Sequence, residues 1–247
     1  MPAAWSLGVA LVGFAAYWLF MSPYSQTFGR YPYRGGDGTD RVIALTFDDG
    51  PNEPYTSQIA EYLRGKGIRG TFFQVGRCVE RFPDTTVRLI DAGHVVGNHS
   101  LTHRFSTYLV PSRYRREVVE TQDILRRHLG RTPALVRTPW LWRQPWLLRM
   151  LNRVGLQPVA GVFCHAGEVF QPDGARIAKR AIAKARPGAI LIFHDGFDGR
   201  GADRAQTVRA VQITTDALIR QGYRFVTVDE LLGVPAYVGP QLSTVDS

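Results

Sequence analysis

With 247 residues and 45% hydrophobic side chains, the chain holds one sizeable core plus a short appendage, and leaves no room for a second catalytic domain. The 30 Lys and Arg against 21 Asp and Glu give a net charge of +9, a field that suits anionic partners such as lipid headgroups or wall polymers. No basic run is interleaved with aromatics, so no nucleic-acid partner is expected, and two cysteines, Cys78 and Cys164, exclude a disulfide scaffold or a zinc ribbon.

Residues 1–22 read as a transmembrane anchor or signal segment. No charged side chain lies between Ala3 and Met21, and Trp5, Tyr17 and Trp18 sit near the ends, where amphipathic rings favour a membrane interface. A basic leader and a small-x-small cleavage site are both missing, which favours an uncleaved membrane-spanning helix over a cleaved export signal. Arg30, Arg34 and Arg41 follow the apolar segment, opposite to the charge rule for an exported domain, but large domains override that rule. The expected location is membrane-anchored or secreted, with the catalytic part outside the cytoplasm. Residues 23–40, rich in Gly, Tyr, Pro and Arg, read as a linker, residues 41–235 as the folded domain and 236–247 as a tail.

Within the domain, strands are predicted at 41–47, 70–75, 94–98, 134–137, 156–163, 189–194 and 224–228. Helices are predicted at 56–64, 85–92, 113–129, 145–154, 174–185 and 205–221. Arginines such as Arg113, Arg115 and Arg116 then fall on a solvated helix face. Seven strands alternating with helices predict parallel βαβ units and an α/β fold; alternation alone does not distinguish an open sheet from a closed barrel.

Polar residues collect at the carboxyl ends of the predicted strands, where α/β folds place ligands. Asp48 and Asp49 end the first strand, His99 and His103 follow the third, Arg137 ends the fourth and His194 the sixth. His99-Ser100-Leu101-Thr102-His103 would place two imidazoles one helical turn apart on one side. Chance alone gives such a pair in about one chain in eight of this composition. Two His plus the Asp49 carboxylate, however, form a recurrent hydrolytic metal set, and two adjacent buried acids need a neutralising cation or hydrogen bonds. Alone, Asp48-Asp49-Gly50 would read as a turn cap.

Thr46-Phe47-Asp48-Asp49-Gly50-Pro51, His99-Ser100-x-x-His103, Arg137-Thr138-Pro139-Trp140 and Ile190-Leu191-Ile192-Phe193-His194-Asp195, in this order, resemble the motifs of the polysaccharide deacetylase family, also called the NodB-homology or carbohydrate esterase family 4 domain. The resemblance runs from about Val42 to about Leu232. It implies a distorted (β/α) barrel of about seven parallel strands and a divalent-metal hydrolase. Its substrates are N-acetyl groups of chitin-like or peptidoglycan glycans, or O-acetyl groups of xylan. By the same resemblance Asp49, His99 and His103 hold one divalent ion, zinc first, with cobalt or another ion as alternatives. Asp48 is the catalytic base, Arg137 the arginine that holds it, and His194 the catalytic acid. The backbone N–H of Trp140 stabilises the oxyanion, and Ile192 is a second substrate-side position. A bound divalent ion lowers the pKa of water to about 7, so a nearby carboxylate can take its proton near neutrality.

The chain departs from the family pattern at His165-Ala166-Gly167-Glu168-Val169, where the family has an Asp-x-x-Asp-Trp motif. Glu168 can still orient and charge His194, with one extra methylene. His165 reads as an ordinary loop histidine, with altered substrate contact as the other reading; His94 and His128 read as structural or exposed. Trp140, Trp142 and Trp146 either line a glycan groove or fill the core. Three functions follow: a monomeric N-deacetylase of a cell-envelope glycan, an amide hydrolase acting on a lipid-linked amino sugar or small amide, or a glycan-binding module without turnover. A complete acid, base and metal set argues against the third.

Overall fold

The structure, a computed structural model, describes residues 2–239, with side chains from residue 8 on. Helix α1 (Pro2–Phe20) precedes β1 (Val42–Asp48), α2 (Tyr55–Gly65), β2 (Thr71–Gln74), α3 (Gly76–Arg81), α4 (Pro83–Asp91) and β3 (Val95–Asn98). There follow α5 (Pro111–Leu129), β4 (Thr132–Pro133), β5 (Leu135–Val136), α6 (Leu147–Arg153), β6 (Gln157–Pro158) and β7 (Val162–Phe163). The chain ends with α7 (Gly174–Lys184), β8 (Ile190–His194), α8 (Ala205–Arg220), β9 (Arg224–Phe225), α9 (Val228–Leu232) and β10 (Tyr237–Val238).

Strand β1 shows why the sheet forms. Both of its faces are buried, so it reads as a near-continuous apolar run, as strands covered on two sides do. Ile43, Leu45 and Phe47 pack outward with Leu63 of α2, Ile177 of α7 and Val211 of α8. Ala44 points the other way, into an inner layer with Phe73, Val95, Leu135, Val159 and Ile190. Thr46 and Asp48 continue that inner face toward the carboxyl end.

All pairings in the main sheet are parallel, in the order β6-β5-β3-β2-β1-β8-β7, with β9 joining the start of β1. The α/β architecture and the seven-stranded curled sheet match the expectation. The single strand expected at 156–163 does not form. It divides into β6 and β7, which lie at opposite ends of the pairing order although only Val159-Ala160-Gly161 separates them. The sheet therefore curls almost full circle and stops at a seam. Arg137 fills that seam, donating from Nε to Val159 O (3.2 Å) and from Nη2 to Ala160 O (2.9 Å). Gly161 is needed there, because a Cβ would lie 2.8 Å from Ile192 Cγ1 and 3.1 Å from Arg137 Nη2.

Two expected boundaries differ. The 23–40 segment packs against the domain: Tyr31 is buried, and its hydroxyl lies 2.7 Å from Thr138 Oγ1. Arg143 Nη2 donates to Ser22 O (2.6 Å) and Nη1 to Ser25 O. The start of the expected tail is ordered as β10, antiparallel to β4; residues 240–247 lie outside the described part. The membrane-spanning helix is not borne out: among the described residues no helix is long and apolar enough to cross a membrane. Cys78 and Cys164 are buried free thiols.

Candidate active site

Asp48 and His194 end adjacent strands as direct register partners, so chain positions far apart in sequence become neighbours at one face of the barrel. Arg137 Nη1 donates to Asp48 Oδ1 (2.7 Å) and to Thr46 Oγ1 (2.7 Å), and the guanidinium lies 4.2 Å from the centroid of the Phe73 ring. A fully buried guanidinium is tolerated because a carboxylate, a hydroxyl and two carbonyls share its donors.

Asp49 turns away from the strand with φ of +76°, and its carboxylate meets two imidazoles: Oδ1 lies 3.3 Å from His99 Nε2 and 3.0 Å from His103 Nε2. The histidine pair is not carried on a helical turn. It sits on a loop in which Ser100 (φ +67°) and His103 (φ +53°) take left-handed conformations, and this bend brings the rings together. Trp140 (+55°) and Leu141 (+56°) are left-handed as well, so costs of about 1–3 kcal/mol each concentrate around this one cleft.

The donor set fits a cation. His99 Nδ1 lies 2.8 Å from Arg137 O, which can only accept, so Nδ1 carries the proton and Nε2 keeps its lone pair. Asp49 Oδ2 accepts from Asp198 N (3.1 Å), whereas Oδ1 is buried and makes no hydrogen bond. The three ligand atoms of Asp49, His99 and His103 lie within 4.8 Å of one another. Two imidazole nitrogens and a carboxylate oxygen converging on one point suit a four-coordinate divalent ion with one position left open.

The field at the site points the same way. Burial opposes charge on His103, but Asp49 and Asp198 outweigh it and raise the imidazole to about 10 in the absence of an ion. Burial likewise opposes ionisation of Asp49, yet His103, His99 and His194 hold its carboxyl well below the usual range. Asp195, buried beside these acids and bonded to Thr56 Oγ1, is pushed up to about 7, mainly by burial. Its carboxylate occupies the space where a Cβ on residue 50 would project, which explains Gly50.

On the other wall, Glu168 Oε2 lies 3.1 Å from His194 Nδ1, and Oε1 accepts from His194 N (3.0 Å) and Thr207 Oγ1 (3.0 Å). Burial lowers the His194 pKa, but the Glu168 bond and charge, helped by Asp49 and Asp48, raise it to about 9. The imidazole is held protonated at neutral pH, with Nδ1 on Glu168 and Nε2 free. Phe163 stacks on it at 5.9 Å, with ring planes 4° apart.

Asp48, Asp49, His99, His103, Trp140 and His194 line one cleft of about 440 Å³. Arg137 and Glu168 lie behind this wall. Ile192 does not reach it: the side chain is fully buried one layer down, in the cluster around Val136 and Leu141. His165, read as an ordinary loop residue, lines the cleft, while its Nδ1 accepts from Gly167 N (2.9 Å). Trp140 is edge-on to His103 at 4.4 Å, whereas Trp142 stacks on Phe20 and Trp146 packs against Tyr114. His94 is structural, accepting from Gly70 N (3.0 Å), and His128 is exposed. Sequence reasoning missed Asp198, whose Oδ1 lies 3.1 Å from His103 Nδ1, and Tyr17, which joins the cleft wall from α1.

The model of the polysaccharide deacetylase family matches residues 35–159, about half of the chain. The chain belongs to this family. It is therefore a hydrolase of the polysaccharide deacetylase type. It is 31% identical over 194 residues to a peptidoglycan-N-acetylglucosamine deacetylase of Bacillus cereus, covering 78% of this chain and 89% of that one. It is 33% identical over 195 residues to the peptidoglycan-N-acetylmuramic acid deacetylase PdaC of Bacillus subtilis, covering 79% of this chain but only 39% of that longer protein. Among solved structures, a peptidoglycan N-acetylglucosamine deacetylase superposes with a TM-score of 0.77 at 25% identity, covering 83% of this chain and 94% of that one.

Proposed function

We propose that this deacetylase removes N-acetyl groups from N-acetylglucosamine units of a cell-envelope glycan, using one zinc ion held by Asp49, His99 and His103. The carrying observation is that Asp48 and His194 meet at one cleft, beside the metal set, each backed by its own buried partner of opposite charge. The name of the Bacillus cereus relative supports the substrate class. Such a glycan lies outside the cytoplasm, so the reading carries an extracytoplasmic location with it.

When bound, a divalent ion supplies Lewis-acid polarisation of the acetyl carbonyl and acidifies water. The protein's own groups do the rest. Asp48, aimed by Arg137, takes the proton of the attacking water. The N–H of Trp140, carried on a left-handed turn at the cleft wall, meets the oxygen that becomes negative. His194 Nε2 gives its proton to the leaving amine nitrogen as the C–N bond breaks, yielding acetate and a free amino sugar. Glu168 then balances the charge lost and regained on the imidazole.

The test is acetate release from N-acetylglucosamine oligomers or peptidoglycan fragments by the full chain with added Zn²⁺ or Co²⁺. His99→Ala is expected to lower activity on the order of 10³-fold together with metal content, and Asp48→Asn by about 10²–10⁴-fold with metal content retained. Glycan binding without acetate release from any of these substrates would overturn the reading.

A further inference from the structure

Helix α1 poses a problem for a chain surrounded by water. Every residue from Gly8 to Trp18 is exposed, none is charged, and the apolar side chains cover all sides of the helix. A helix destined for a protein groove carries one apolar stripe; one that is apolar all round suits a surrounding lipid phase. Its end is fixed to the domain, not tethered loosely. Arg143 N donates to Phe20 O (2.9 Å), its guanidinium holds the Ser22 and Ser25 carbonyls, and Phe20 stacks on Trp142 at 5.3 Å.

The helix leaves the domain beside the cleft, with Tyr17 on its wall. Other apolar groups are exposed around the same mouth. Phe170, 85% exposed, also lines the cleft; Phe105 lies edge-on to Trp140 (5.6 Å) and Trp142 (4.8 Å); Leu109, 71% exposed, ends the same turn. Single exposed apolar residues are ordinary, but a group gathered around a catalytic mouth marks an interaction site. Arg104, Arg113, Arg115 and Arg116 are exposed on the adjoining segment, and the first turn of α5 holds no acid. This charge complements anionic lipid headgroups.

We propose that α1 dips into a lipid bilayer with the rim formed by Phe105, Leu109 and Phe170 seated on its surface, and that the cleft receives the N-acetylated sugar of a lipid-linked saccharide presented there. The substrate part rests on the deacetylase reading above. A helix with no polar side is suited to acyl chains around it rather than to the headgroup plane, and seating of the rim does not require that it cross the membrane.

Two measurements on the full chain test it. The first places a polarity-sensitive fluorophore at Leu109→Cys, at Phe170→Cys and, as a control on the exposed face of α2, at Glu61→Cys. Cys78 and Cys164 are buried and escape labelling. With phosphatidylethanolamine and phosphatidylglycerol vesicles, the first two labels are expected to shift to an apolar environment and the third to remain in water. No shift at the rim overturns the lipid-facing surface. The second compares kcat/KM for N-acetylglucosamine linked to a polyprenyl diphosphate in those vesicles with that for soluble N-acetylglucosamine oligomers. The lipid-linked substrate is expected to be favoured by about tenfold or more, and Leu109→Asp to remove about tenfold from it while leaving the soluble substrate unchanged. Equal kcat/KM for the two overturns the substrate assignment while the deacetylase reading stands. Acetate from neither, with metal bound, overturns both, and the labels still decide the lipid-facing rim.

Discussion

The two walls of the cleft do the same kind of work with different materials. Asp48 is held by Arg137, which is anchored to the Val159 and Ala160 carbonyls at the barrel seam and stacked on Phe73. His194 is held by Glu168, which comes from an irregular turn after β7 and leans on Thr207 of α8. The family match, residues 35–159, includes Arg137 and both acids at the end of β1, and stops before Glu168 and His194. The base's partner is part of what closes the barrel, whereas the acid's partner comes from a short turn outside the strands. A residue that does both jobs cannot change without damaging the fold. One that only tunes an imidazole is freer to change.

The comparison is broken most directly at Arg137. Arg137→Ala leaves Asp48 buried without its partner and Val159 O and Ala160 O without donors, so it is expected to destabilise the fold by about 3–5 kcal/mol as well as to abolish activity. Urea unfolding of the metal-free chain measures this. A stable but inactive variant would show that the guanidinium serves catalysis alone and that the seam closes without it.

Glu168→Gln should act through pH with the fold kept. Glu168 is the main group raising His194 to about 9 against the effect of burial. A histidine raised in this way is charged, and its ion pair contributes stability, at pH below the ordinary value of about 6.5; both are lost as pH rises through about 9. Removing the carboxylate charge leaves burial in place, so the acid is lost at lower pH. The alkaline limb of the kcat profile should move toward neutrality, and NMR titration of His194 should follow it. An unmoved limb would mean that Glu168 is a scaffold residue.

How much of this was legible in the sequence follows the same division. Asp48 and Asp49 could be read because a buried apolar run ends on them, and His194 because another such run ends on it; parallel pairing then makes them neighbours. The His99 and His103 pair was legible as a pair but not as a shape, since no spacing reveals that Ser100 and His103 bend left-handed. Residues 156–163 looked like one strand because Val159, Ala160 and Gly161 are as apolar or small as their neighbours. What divides them is a guanidinium contributed from residue 137. Asp198 lies in the glycine-punctuated loop after β8, where no periodicity gives a side chain an address, and Tyr17 lies in a segment whose composition spoke only of lipid.

The finest test concerns the length of the Glu168 side chain, one methylene longer than the aspartate expected there from the resemblance. Its carboxylate reaches three donors at once, the His194 backbone N–H, the His194 ring and Thr207 Oγ1, all at 3.0–3.1 Å, from a backbone held by its own turn. Glu168→Asp retracts the carboxylate by about one bond length, roughly 1.5 Å, and a hydrogen bond lengthened that far is lost. If the turn is rigid, the ring contact weakens, the His194 pKa falls part of the way, and kcat drops by about 3–10-fold with KM unchanged. If the turn relaxes, the three contacts re-form and kcat is untouched. The first outcome makes the 165–169 segment a built alternative whose longer side chain compensates for a more distant backbone. The second makes the exchange neutral, and moves the meaning of that segment to His165, Ala166 and Val169, which line the cleft.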